Sequence, residues 1–155
     1  MPLAADARPW FGLAVRLGAA TVWIVAGVSK LPDIEGFRVQ VERYLILPHV
    51  LAVPFAYLLP FLEVGLGLYL AAGLFVRGSA LLGSAVMVMF IAAQLQAWAR
   101  GLSIDCGCFG TLSQSRVGSM SVLRDAALGL PTFIMAAFPA RLLSIDWLLA
   151  RRASR

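Results

Sequence analysis
Four apolar runs, each about as long as a bilayer is thick, constrain this chain more than any other feature. A helix rising 1.5 Å per residue needs about 20 mostly apolar residues to cross the hydrocarbon core. Such segments run from about Trp10 to Ser29, Leu51 to Leu74, Ser79 to Trp98 and Ser121 to Phe138. The third carries no charge. The fourth has Arg124 and Asp125 in its first turn and Pro131 within it, and membrane helices tolerate proline because neighbours re-satisfy the freed backbone groups. The first is longer than a signal-peptide core and no small-x-small site precedes Lys30, so it reads as retained. Composition agrees with lipid as the solvent: of 155 residues, 61% are hydrophobic and 14% charged, against roughly 25% charged in a soluble domain. The predicted fold is all-α, an integral membrane four-helix bundle forming one domain over residues 1–155, with the lipid bilayer as its first partner.

The formal charge of +5 does not make a nucleic-acid surface, because the cations are scattered between apolar runs except near the C-terminus. Between the first two spans, Ile34, Phe37, Val41, Tyr44 and Leu45 recur at helical spacing while Glu35, Arg38, Glu42 and Arg43 fall elsewhere. That pattern predicts an amphipathic helix at the interface over Asp33 to Leu47, ended by Pro48. A shorter stretch after Arg141 (Leu142, Leu143, Trp147, Leu148) has the same character on the opposite side. Gly65, Gly67, Gly73 and Gly83 would let helices approach closely.

With four spans, both termini share one side. That side holds Arg8, Arg16, Arg77 and Arg141, while Lys30, Arg38, Arg43, Arg100, Arg116 and Arg124 lie on the other. The cluster Arg151, Arg152 and Arg155 near a span tips the balance toward cytoplasmic termini in the cell membrane. The loop between the third and fourth spans then faces outward, where disulfide chemistry is sustained.

That loop carries the only two cysteines, Cys106 and Cys108, separated by Gly107. Cysteines two apart close on each other only through a tight turn, which glycine permits. Two readings follow: an exchangeable disulfide, or two structural thiols. Metal binding is a third. Two thiolates suit a soft ion such as Cu(I), but a closed zinc site needs about four ligands and His49, the only histidine, is on another loop. Met87 and Met89 read as packing, and no metal site is expected.

Ionisable groups inside spans default to function. Glu63 lies within the second span, Gln94 near the outer end of the third, Lys30 closes the first, Asp105 precedes the cysteines, and Arg124 and Asp125 open the fourth. All fall in the outer half, beneath the cysteine loop. Lys30 or Arg124 could pair with Glu63, and either cation could lower a cysteine pKa. The bland alternative is a polar network that only fixes helix register.

Taken together, Gly27-Val-Ser-Lys30, Tyr44-Leu-Ile-Leu-Pro48, Leu59-Pro60-Phe-Leu-Glu63-Val-Gly65, Asp105-Cys-Gly-Cys-Phe-Gly110 and Arg124-Asp125 resemble the methylamine utilisation protein MauE family, within the broader DoxX-like membrane proteins. The resemblance covers nearly the full length, and Cys-Gly-Cys-Phe-Gly is its most specific string. It implies a four-helix membrane protein serving maturation of methylamine dehydrogenase, whose small subunit is rich in disulfides. It further implies a role in making or shuffling disulfides of an exported protein, with Cys106 and Cys108 as the reacting pair and a thioredoxin-like partner. DoxX-like relatives include quinone-linked subunits, and the bundle is reminiscent of the DsbB and vitamin K epoxide reductase group. Quinone is therefore the one cofactor implied, with Phe109 and Trp98 as candidate pocket walls, although this chain has Cys-Gly-Cys where that group has Cys-x-x-Cys. Two other readings compete. A non-catalytic assembly factor would use the cysteines structurally. A transporter or Cu(I) carrier would use Glu63 and Gln94, but four spans without a repeat argue against a stand-alone transporter unless an oligomer forms.

Overall fold
The architecture is a bundle of four long helices with a short helix lying across one end. A computed structural model describes residues 7–110, 115–139 and 144–145. The second interfacial stretch and the Arg151-Arg152-Arg155 cluster lie outside these residues. Helix α1 spans Ala7–Lys30, α2 Ile34–Arg43, α3 His49–Ala72, α4 Val76–Ala99 and α5 Ser119–Ala137, with a 3₁₀ turn at Leu31–Asp33 between α1 and α2. No strand occurs among the described residues. Four of the helices are long and apolar enough to cross a membrane.

Around the bundle the order is α3, α1, α5, α4. Helix α1 packs most extensively on α3 and also meets α5, α4 pairs with α5, and the α3–α4 seam is the sparsest. Trp23, Leu59, Leu70, Met87 and Met135 fill the core, and Trp23 Nε1 donates to Thr132 Oγ1 at 3.0 Å, joining α1 to α5. Outward, Leu58, Phe61, Leu68, Leu82, Val88 and Leu123 are exposed. In water such a surface would drive association; in a bilayer it is the face toward solvent.

Small residues set the helix distances, though not all those expected. A Cβ on Gly67 would stand 2.8 Å from Ala20 O, and one on Gly27 would stand 2.6 Å from Pro60 O, so this glycine pair is what lets α1 and α3 touch backbone to backbone. Gly83 packs against Trp23 and Thr132, whereas Gly65 has nothing within 4 Å and mediates no close approach. Gly73 instead caps α3 in the left-handed conformation.

One further expectation is corrected, and one charged residue is buried. The interfacial helix stops at Arg43, before Pro48, because Leu45 adopts a positive φ of 53° that breaks the helical run; Pro48 serves as the N-cap of α3. Arg16, counted by sequence as a flanking charge, is 1% exposed. Its guanidinium lies over Gly73, at the C-terminal end of α3, the end of a helix dipole that favours a cation.

Candidate functional site
The end of the bundle beneath α2 gathers nearly every polar residue singled out by sequence. Three constraints shape the cysteine loop there. Cys106 N donates to Ser115 O at 2.8 Å and Val117 N to Ile104 O at 2.9 Å, around a lone antiparallel bridge between Asp105 and Arg116. Gly107 turns the chain at φ 70°, a conformation that side-chain-bearing residues rarely adopt. Finally, Tyr44 Oη donates to Cys106 O at 2.9 Å, tying the loop to the end of α2. The result brings the two sulfurs face to face as a pair, with Cα atoms 5.5 Å apart, within the range that a disulfide requires.

Around the pair the charges divide into two sets. Lys30 Nζ donates to both Glu63 oxygens, at 2.8 and 3.0 Å, and to Cys108 O at 2.6 Å. One ammonium thereby joins α1, α3 and the loop. Its partner carboxylate is equally buried, both residues being 1% exposed. The second set sits at the sulfurs. Asp125 Oδ2 is 3.4 Å from Cys106 Sγ and accepts from Gln94 Nε2 at 2.7 Å. Arg124 Nε donates to Asp125 Oδ1 at 2.9 Å, and its terminal nitrogen lies 3.6 Å from Cys106 Sγ. Gln94 Nε2 is also 3.5 Å from Cys108 Sγ. Cys106 is buried, whereas Cys108 is partly exposed.

Of the two cations offered as partners for Glu63, Lys30 takes it and Arg124 pairs with Asp125. Asp105 joins through its backbone bridge to Arg116, and the carboxylate in contact with sulfur is Asp125. If both cysteines were reduced, their sulfurs and a carboxylate oxygen of Asp125 would offer three donors within 4.8 Å of one another. Such an S₂O set is short of the closed four-ligand zinc shell.

Sequence reasoning missed three contributors. Tyr44 stood out as part of an apolar face and of the Tyr44-Leu-Ile-Leu-Pro48 string, but not as the anchor of the loop that it proves to be. Burial, with Asp125 and Asp105 nearby, raises its phenol pKa above the ordinary value, so it remains a hydrogen-bond donor throughout the physiological range. Gln40 was not considered; it packs over Gly107, where a Cβ would come within 2.5 Å of its Oε1. The third is a cavity of about 180 Å³ between α2, α3 and α4, walled by Phe37, Val41, Phe55 and Phe90 and reaching Gln94 and both cysteines. Neither Trp98 nor Phe109 is part of that wall.

The family profile described as methylamine utilisation protein MauE matches residues 8–138. This chain belongs to the MauE family. It is 34% identical over 150 residues to the methylamine utilization protein MauE of Methylophilus methylotrophus, covering 94% of this chain and 79% of that one. With the MauE protein of Paracoccus denitrificans it shares 31% identity over 141 residues, 87% of this chain and 76% of the relative. The corresponding protein of Methylorubrum extorquens is 34% identical over 137 residues, 88% and 74% of the two chains. No solved structure gives a significant match. Membership in MauE and the four bilayer-length helices together make this a multi-pass membrane protein.

Proposed function
We propose that this MauE-family protein is a membrane thiol–disulfide exchange component that acts in methylamine utilisation by helping an exported protein acquire its disulfides. The reading rests above all on one arrangement: two cysteines held sulfur to sulfur with a carboxylate 3.4 Å and a guanidinium nitrogen 3.6 Å from the same sulfur. A purely structural pair would not need ionisable groups at its sulfurs, and burying them is costly.

In the proposed exchange, a thiolate of the partner attacks Cys108, the more accessible sulfur. A mixed disulfide forms and Cys106 leaves as a thiolate beside Arg124, whose positive charge stabilises the leaving group. The partner's second thiolate then attacks its own mixed-disulfide sulfur and releases Cys108. The partner is oxidised, and the Cys106–Cys108 pair is reduced by the same two electrons. The two protons of the partner's thiols end on Cys106 and Cys108, and Asp125, 3.4 Å from Cys106 Sγ, relays the one that Cys106 takes up. The partner is a thioredoxin-like or exported protein, and the loop faces outward with both termini cytoplasmic, the side on which disulfides persist.

Trapping tests this scheme. In the Cys106→Ser variant, the Cys108 thiolate attacks the disulfide of the oxidised partner in the reverse reaction, and with no resolving neighbour the mixed disulfide accumulates, visible as a reducible mass shift in membranes. The Cys108→Ser variant traps far less. Equal trapping by both variants contradicts the assignment of roles, and trapping by neither contradicts the exchange.

A further inference from the structure
Reduction of the Cys106–Cys108 pair does not release the loop that carries it. Its main-chain anchors are independent of the bond between the sulfurs: Cys106 N to Ser115 O, Val117 N to Ile104 O, Tyr44 Oη to Cys106 O and Lys30 Nζ to Cys108 O. The reduced thiols therefore stay beside Asp125, where both sulfurs and a carboxylate oxygen lie within 4.8 Å of one another. Zn–S bonds of about 2.3 Å and Zn–O bonds of about 2.0–2.2 Å, at a tetrahedral angle, set sulfur and oxygen about 3.5 Å apart. Asp125 Oδ2 already stands 3.4 Å from Cys106 Sγ. Arg124 Nε donates to Asp125 Oδ1 and Gln94 Nε2 to Oδ2, the kind of outer contact that orients a metal-binding carboxylate. Charge selects the ion. Two thiolates and the Asp125 carboxylate bring three negative charges, Arg124 opposes one, and Lys30 and Glu63 cancel each other. A divalent ion leaves this cluster neutral, whereas Cu(I) leaves a net charge in an apolar bundle, which is costly. The thiolates in turn disfavour the hard ions Mg²⁺ and Ca²⁺.

We infer that, in the reduced protein, Cys106, Cys108 and Asp125 form an open three-ligand site for Zn²⁺, with water completing the shell. Binding displaces the two thiol protons to solvent and changes no oxidation state. The disulfide form offers no thiolate, so the site exists in one redox state only. Its consequence rests on the thiol–disulfide reading: a bound ion holds both sulfurs, so neither can attack a disulfide, and exchange stops until the metal leaves. Three protein ligands and a water make an open shell, unlike the closed shell of a structural zinc site.

The test uses the full chain in lipid nanodiscs, reduced by a phosphine and freed of it without oxygen, with Zn²⁺ alone as the probe. The reduced chain should withdraw one equivalent of Zn²⁺ from a chromophoric chelator, and the disulfide form none. Cys106→Ser and Cys108→Ser should each abolish that binding. Asp125→Asn should weaken it by at least the roughly 10–100-fold that an outer-shell partner is worth. His49→Ala, which removes the only histidine, should leave it unchanged. Co²⁺ in the reduced wild-type chain should give the intense visible bands of a tetrahedral thiolate site, which an ion held by surface carboxylates does not. Binding by the disulfide form, loss of binding in His49→Ala, or full affinity in Asp125→Asn overturns the site. Glutathione disulfide separates this inference from the exchange reading. It should oxidise the metal-free reduced pair, and Zn²⁺ should slow that reaction until a chelator is added. Oxidation at the same rate with and without Zn²⁺ overturns the metal site and leaves exchange standing. Zinc binding by a pair that glutathione disulfide never oxidises, even metal-free, overturns the exchange reading and keeps the site.

Discussion

Lys30 Nζ lies 2.8 Å from Glu63 Oε2, with side-chain exposures of 0% and 1%, and the same ammonium reaches the carbonyl of Cys108. A buried pair of this kind gains Coulomb energy but loses the hydration of both ions, so its value lies more in position than in net stability. It fixes the register of α1 against α3 and holds the cysteine loop down on both. Removing one partner leaves a bare charge in an apolar bundle. Lys30→Met is therefore expected to destabilise the protein by about 3–5 kcal/mol, and the Lys30→Met/Glu63→Met double variant to recover much of that loss. Thermal unfolding in detergent across the double-mutant cycle measures both.

At the sulfurs the decisive side chain is Asp125. Asp125→Asn keeps the shape and the bond from Gln94 but removes the base 3.4 Å from Cys106 Sγ. Re-formation of the disulfide from the reduced pair should slow by on the order of 10²-fold at neutral pH. The deficit should shrink as pH rises toward the ordinary cysteine range and the thiol ionises without help. A deficit independent of pH would assign Asp125 a structural role only.

Gly107 is held at φ 70° beneath the Gln40 amide. Gly107→Ala must adopt a left-handed backbone, at about 1–2 kcal/mol, and push Gln40 aside. The expected outcome is a larger reduced fraction of the pair at a fixed ratio of glutathione to glutathione disulfide, read by alkylation. An unchanged fraction would show that the turn tolerates a side chain.

Tyr44 supplies a pH dependence whose sign can be worked out. Its folded pKa is raised by burial and by Asp125 and Asp105, so the folded state holds the proton more tightly than the unfolded chain does. The associated stability is fully present below the ordinary tyrosine value of about 10 and is lost as pH climbs above it. Tyr44→Phe removes that alkaline loss and, by deleting the bond to Cys106 O, costs about 1 kcal/mol at neutral pH. Hydrogen exchange in the loop and unfolding between neutral and alkaline pH check the two parts.

The fold was legible because lipid imposes a length and a composition that few other structures meet; four apolar runs of about 20 residues leave little choice. Lys30, Glu63, Gln94, Arg124 and Asp125 stood out for the same reason, since a polar group in an apolar run is conspicuous. Which cation met Glu63 was not legible, because pairing depends on how α1, α3 and α5 are rotated, and near-uniform apolar helices carry little rotational signal. Tyr44 and Gln40 were hidden for a different reason. On an interfacial helix both are unremarkable, and their importance comes from the loop folded beneath them. The burial of Arg16 was not legible, because charge counting by span cannot see a guanidinium turned inward over the C-terminal end of α3.

The most direct test of the account is the redox state of Cys106 and Cys108 in native membranes, read as a mass shift on thiol alkylation with a reagent that does not cross the bilayer. The account predicts a pair that resists alkylation until reduced and is then labelled from the outer face. Two thiols labelled without prior reduction, or labelled only after the cytoplasmic face is opened, would contradict it.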